Sequence, residues 1–159
     1  MATWIQSSVH LKDLYLSSTH VQDPLVLVES LGNAIHLQTL EIVHCHVRSA
    51  TRHGTQQQQT QNALYDKIVR PGGNDIVLRL LQNPQSRLQK LNLRSNALED
   101  HHFMAIVELL PTLQLEDLDV QDNQIQCQGI LALAEQLPTS QLEVLDVSGN
   151  QIGCQGILA

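Results

Sequence analysis

The stretch LEDLDVQDNQIQCQGILA, residues 115–132, occurs almost unchanged a second time in this chain. The second copy, LEVLDVSGNQIGCQGILA, covers residues 142–159 and agrees with the first at 14 of 18 positions. The two copies start 27 residues apart. Repetition at a fixed period of this length indicates an array of similar supersecondary units, each stacked on its neighbour.

The leucines extend the repeat towards the start of the chain, with LQKLNLRSNAL beginning at Leu88, LQTLEIVHCHV at Leu37 and LKDLYLSSTHV at Leu11. Five segments then fit the pattern L-x-x-L-x-[LIV]-x-x-[NCT]-x-[LIV]. The residues at the ninth position are Thr19, Cys45, Asn96, Asn123 and Asn150, at steps of 26, 51, 27 and 27. We therefore predict one domain over residues 1–159, with a glutamine-rich loop inserted in the second repeat at residues 48–73 and an incomplete last repeat at residues 142–159.

Each unit predicts a short strand followed by a helix, which makes the fold class α/β. In LEDLDV the apolar side chains point into the core, whereas Asp117, Asp119 and Gln121 face the other side. The helical half is GILALAEQLP, in which Gly129, like Gly156 in the next copy, is expected to let the helix start approach the strand layer. Strands stack about 4.8 Å apart and helices about 8–10 Å apart, so we expect a curved solenoid with strands on the concave face and helices on the convex face.

This pattern resembles the ribonuclease-inhibitor-like leucine-rich repeats, which also occur in Ran GTPase-activating proteins, NOD-like receptors and effectors of intracellular bacterial pathogens. The resemblance implies a protein-binding arc of about five repeats whose concave face is the contact surface. Ribonuclease inhibitor itself is rich in cysteine and alternates two repeat lengths, whereas this chain has three cysteines and one length of about 27 residues. Inhibition of a ribonuclease is therefore not implied.

The outward strand positions define the expected contact surface. The third repeat contributes two cations, and the next two contribute a carboxylate cluster. The predicted partner-binding residues are Tyr15, Glu41, Lys90, Asn92, Arg94, Asp117, Asp119, Gln121, Asp122 and Asp146.

The charge of the chain is unevenly distributed. The formal net charge is -7, and residues 95–159 hold ten carboxylates and no lysine or arginine. An acidic surface repels nucleic acid and anionic membranes and attracts basic protein surfaces. We therefore expect the partner to be a protein and not nucleic acid or a membrane. In one interpretation, that protein has a basic surface.

The sequence contains neither the P-loop motif nor the G-x-S-x-G motif of catalytic sites. We therefore predict no enzymatic activity, cofactor or metal. His44, Cys45 and His46 are metal-ligand types, but their spacing matches no standard zinc site and Cys45 occupies the ninth repeat position. Cys127 and Cys154 are expected to be packed, reduced thiols. Few cysteines and no recognisable secretory signal favour the cytoplasm, or a host cytosol if a bacterium secretes the protein.

The predicted function is protein–protein interaction through the concave face, with a bacterial effector acting in a host cell as one setting. Two interpretations of the inserted loop stay open: a second binding element, or a glutamine tract that arose by replication slippage. Two alternatives remain open: an inhibitor or regulator of a basic enzyme, and a structural end-segment of a larger receptor or effector. The incomplete last repeat leaves Ile157 and Leu158 on an unfinished unit, which suggests either a fragment of a longer array or a homodimer through this end.

Overall fold

A computed structural model describes residues 10–17, 34–43 and 76–153 of the chain. Within these ranges strands and helices alternate after β2, and short 3-10 turns at Leu110–Thr112 and Leu137–Thr139 close the last two helices. The strands are β1 (Asp13–Ser17), β2 (Thr39–Val43), β3 (Lys90–Asn92), β4 (Asp117–Asp119) and β5 (Val144–Asp146). The helices are α1 (Ile76–Gln82), α2 (Asp100–Val107) and α3 (Cys127–Gln136). The predicted loop at residues 48–73 and the end of the last repeat, residues 154–159, lie outside the described residues.

The five strands form one parallel sheet in the order β1-β2-β3-β4-β5. The predicted alternation of strand and helix is therefore confirmed as an α/β repeat fold. The strands pair in the register that the leucine alignment predicts, because Leu14, Leu40, Leu91, Leu118 and Leu145 are consecutive partners. The curvature of the array stays a prediction.

One face of the sheet is covered by the helices through an aliphatic core. Leu40, Leu91 and Leu118 from the strands and Ile106 from α2 belong to a single cluster with almost no exposed surface. Phe103, the only phenylalanine of the chain, lies fully buried in the same cluster. Parallel strands whose inner side chains meet a helix layer leave the alternate side chains on the opposite face. That opposite face holds the predicted contact residues.

The asparagines at the ninth repeat position lie where the chain turns after each of the last three strands. The Asn123 amide nitrogen donates to the carbonyls of Leu93, Val120 and Gln121 at 3.0, 2.8 and 3.1 Å. Its Oδ1 accepts the backbone N–H groups of Asn96 and Leu98, both at 2.9 Å. The side chain therefore joins the turns of two neighbouring repeats.

Asn150 repeats this arrangement one unit later, with its amide donating to Val120 and Val147 and its Oδ1 accepting the N–H of Ile125 at 3.0 Å. The Asn96 amide reaches back to the Ile42 carbonyl on β2. The asparagines thus form a ladder across the stacked turns, since each bonds backbone groups of the preceding repeat.

Gly129 permits close packing, but its neighbours differ from those predicted. A Cβ at this position would lie 2.8 Å from Asp100 Oδ1 and 3.1 Å from Phe103 Cδ1, both at the start of α2, and 2.9 Å from Ile125 Cγ2. The approach is therefore between the starts of two successive helices, and the prediction of an approach to the strand layer was wrong. Gly156 lies outside the described residues.

Candidate protein-binding surface

The face of the sheet turned away from the helices is called the outer sheet face here, and it consists of the outward side chains of β1 to β5. The strand register sets one predicted contact residue from each strand side by side, a line called the middle row. The middle row is Tyr15, Glu41, Asn92, Asp119 and Asp146. Tyr15 has 60% of its surface exposed, and the other four are partly exposed.

The remaining predicted residues flank the middle row on two sides. Lys90 and Asp117 are partners in a parallel line at the starts of β3 and β4. Arg94, Gln121 and Asp122 follow the ends of these strands, with Arg94 and Asp122 exposed and Gln121 partly exposed. The structure therefore brings all ten predicted residues to one face or its rim.

Three side chains of the middle row also shape the backbone. Asn92, Asp119 and Asp146 each accept, through Oδ1, the backbone N–H two residues later at 2.9 Å. Such a bond is an Asx turn, which short amide and carboxylate side chains form readily. The recurrence of Asn or Asp at one repeat position is the sequence signal for these turns, which the prediction of a contact surface does not include. Glu41 makes no bond of this kind.

The cations of the third repeat are paired with carboxylates of the fourth. Arg94 donates through Nε and Nη2 to Asp122 Oδ2 at 3.2 and 3.0 Å, and Lys90 Nζ lies 3.9 Å from Asp117 Oδ2. Both pairs are solvent-exposed, so each contributes at most about 1 kcal/mol to stability. Their larger effect is on the surface charge, because they partly neutralise two members of the predicted carboxylate cluster.

A left-handed turn holds Asp122 in position for this ion pair. Its φ is 56°, and the equivalent residues Ser95 and Gly149 have φ of 57° and 67°. A Cβ on Gly149 would lie 2.1 Å from Asp122 Oδ1, so the carboxylate occupies the space above the glycine. Glycine at residue 149 thus allows both the turn and the position of its neighbour.

The surroundings of Asp146 on this surface lower the pKa of its carboxyl group. Hydrogen bonds from the Ser148 side chain and backbone N–H, helped by the charge of Arg94, hold the pKa of Asp146 below its ordinary value. Contact between the charged carboxylate and these donors favours the ionised form. Asp146 therefore stays negative at lower pH than an isolated aspartate.

We expect Ser148→Ala to raise the pKa of Asp146 towards its ordinary value, since the largest contribution to the shift is the Ser148 side chain. The measurement is an NMR titration of the Asp146 carboxyl carbon in the variant and in the unsubstituted chain. Because the folded pKa of Asp146 is depressed, its stabilising effect is present above the unfolded pKa and is lost as pH falls through the folded pKa. An unchanged Asp146 titration in the variant would contradict this assignment.

Between the strands, the outer sheet face holds a shallow depression over β1 to β4. It is lined by Tyr15, Thr39, Glu41, Lys90, Leu91, Asn92, Asp117 and Asp119. Its walls thus offer one aromatic ring, several hydrogen-bonding groups and the carboxylates of Glu41, Asp117 and Asp119. A second groove, between the ends of α1 and α2, includes Leu81, Leu109 and Leu113.

The histidine and cysteine residues considered as metal ligands or reactive thiols lie only in part within the described ranges. No group of three or more His, Cys, Asp or Glu side chains that could hold a metal occurs in residues 10–17, 34–43 and 76–153. His44, Cys45, His46 and Cys154 lie outside these ranges. Cys127 is a free, partly buried thiol whose Sγ lies 3.7 Å from the Gly153 carbonyl. None of the helices in the described part of the chain has the length and apolar character that a membrane span needs.

The end of the chain, where the repeat is most regular, matches a known protein family. The family described as "Leucine Rich repeat" matches residues 115–134 and 141–159. These two segments are similar to leucine-rich repeats. The first matched repeat holds β4 and most of α3, and the second holds β5. No curated protein matches the chain. Leucine-rich repeats commonly mediate protein–protein interaction and are generally binding modules without enzymatic activity.

Proposed function

We propose that this leucine-rich-repeat chain is a protein-interaction module that binds its partner through the outer sheet face. The observation that carries the proposal is the division of the sheet, one face covered by helices and the other presenting side chains in register to solvent. Tyr15 and Val144, at opposite ends of the sheet, are 60% and 54% exposed. Exposed apolar groups rimmed by polar ones are typical of protein interaction sites.

The proposal is tested by affinity capture from eukaryotic cell lysate with two double variants. Each variant replaces two exposed apolar side chains by serine. Tyr15→Ser/Val144→Ser removes two exposed apolar side chains from the outer sheet face. The control Leu131→Ser/Leu137→Ser also removes two exposed apolar side chains, one from α3 and one from the turn after it. Their exposed fractions are 41% and 38%. We expect the control to retain the partner and the first variant to lose it, with thermal unfolding of both close to the unsubstituted chain. A partner retained by the first variant and lost by the control would reject the outer sheet face.

A second candidate function, inhibition or regulation of a basic enzyme, is supported by the charge of residues 95–159, which hold ten carboxylates and no lysine or arginine. A partner of this kind binds through long-range attraction, so its capture should weaken strongly between low and high salt. A partner indifferent to salt favours the plain interaction module.

Our finer proposal is a ribonuclease-inhibitor-like repeat protein acting in the cytoplasm, either of its own cell or, as a bacterial effector, of a host. The repeat spacing of 27 residues supports the type, and the free thiol of Cys127 supports a reducing compartment. The homodimer through the last repeat, the role as an end-segment and the part played by the inserted loop stay predictions.

A further inference from the structure

We propose that the depression over β1 to β4 is a receptor for an arginine side chain of the partner protein. The proposal rests on the proposed function and names the chemistry that the outer sheet face recognises. The guanidinium lies between the carboxylates of Glu41 and Asp119, and the carbon chain of the arginine lies against Tyr15.

The spacing of the two carboxylates fits a planar cation. Glu41 and Asp119 both pair with Asn92 on β3, so they stand two strand spacings apart, about 10 Å between backbones. Two charge-assisted hydrogen bonds of about 2.8 Å each, on opposite edges of a guanidinium, span most of that distance. A compact ammonium group, with both bonds to a single nitrogen, spans less of that distance. Asn92, between them, carries an amide and no charge that would oppose the cation.

The pairing of charges on the surface leaves these two carboxylates available. Lys90 is engaged with Asp117 and Arg94 with Asp122. Glu41 and Asp119 have no ion-pair partner in the part of the chain that the structure describes. Within residues 10–17, 34–43 and 76–153, Asp119 uses one oxygen for its Asx turn and keeps Oδ2, and Glu41 keeps both oxygens. The acceptors needed for a guanidinium are thus present and unneutralised.

The aromatic wall offers a contact for the carbon chain of the arginine. Tyr15 neighbours Glu41 in the sheet register, lines the same depression and has 60% of its surface exposed. The carbon chain of an arginine can pack against an aromatic ring while its charged end lies elsewhere. A phosphate or carboxylate ligand is disfavoured, because the free groups here are negative. Lys90 also lines the depression, and its positive charge repels an arginine. It therefore weakens the binding of the arginine and is not one of its contacts.

The test uses a fluorescein-labelled hexapeptide of alternating serine and arginine, with lysine and glutamate versions as probes. We expect the arginine peptide to bind several-fold more tightly than the lysine peptide, and the glutamate peptide not to bind. Glu41→Gln and Asp119→Asn should each weaken the arginine peptide about tenfold, since each removes one charge-assisted bond. Asparagine at residue 119 can still accept the Gln121 N–H, so the turn is kept. Lys90→Gln should tighten binding about two- to threefold, because a nearby like charge is removed.

The matched control is Glu143→Gln, which removes an exposed carboxylate away from the depression. Equal weakening by Glu143→Gln and Asp119→Asn would show diffuse electrostatic attraction and overturn the proposal. Equal binding of arginine and lysine peptides, or no binding of the arginine peptide, would overturn it too. Capture of the natural partner distinguishes failure of the arginine receptor from failure of the proposed function. A partner lost on Tyr15→Ser/Val144→Ser but retained by Glu41→Gln/Asp119→Asn keeps the outer sheet face and rejects the arginine receptor.

Discussion

Asn123→Ala is expected to lower the free energy of unfolding by about 3–5 kcal/mol, although it changes no apolar contact of the core. Asn123 is 5% exposed, and its Oδ1 is the acceptor for the N–H groups of Asn96 and Leu98. Both hydrogen bonds are buried, so water cannot readily replace the lost acceptor. Each orphaned buried group costs about 1–3 kcal/mol. The Leu93 carbonyl loses its amide donor as well.

The matched control is Asn150→Ala at the same position of the next repeat. Its Oδ1 serves one N–H group, that of Ile125, in a partly buried bond, and the side chain itself is partly exposed. We expect a loss of about 1–2 kcal/mol, because solvent can compensate part of the change. Urea unfolding followed by circular dichroism measures both. Equal losses for the two variants would mean that the ladder does not depend on burial, contrary to this account.

The elements that sequence analysis predicted correctly are those specified by a local and repeated pattern. Alternation of apolar and polar residues places Leu118 in the core and Asp119 on the outer sheet face within one strand, without reference to other parts of the chain. The leucine alignment then sets the register of all five strands, because equivalent positions of stacked repeats become neighbours.

The features that were not predicted depend on how two repeats meet. The Arg94–Asp122 ion pair joins residues 28 positions apart, and it requires both the left-handed turn at Asp122 and the space above Gly149. Charge alone suggested separate cationic and acidic patches, because composition does not show which groups touch. Gly129 is similar, since its contact with the start of α2 follows from the packing of two helices and not from its own segment.

Phe103→Ala should be the other strongly destabilising substitution, costing about 3–5 kcal/mol, as expected for removal of a fully buried aromatic side chain. Phe103 has no exposed surface and is among the largest completely buried side chains of the described residues. It lies on α2, and its Cδ1 is 3.1 Å from the point where a Cβ of Gly129 would stand. The ring therefore fills the junction between two helices that the absence of a side chain at residue 129 leaves open. Alanine would leave a cavity there, which the close-packed neighbours can only partly close.

Ile130 is the equivalent residue of the next repeat and supplies the control. It is only partly buried, so Ile130→Ala should cost less than half as much as Phe103→Ala. Urea unfolding should show a lower midpoint with an unchanged m value for both variants, since neither alters the surface exposed on unfolding by much. A cost below about 2 kcal/mol for Phe103→Ala would mean that the helices move together to fill the space. In that case the junction between α2 and α3 would be compliant, and the buried ring would contribute volume without fixing the distance between the repeats.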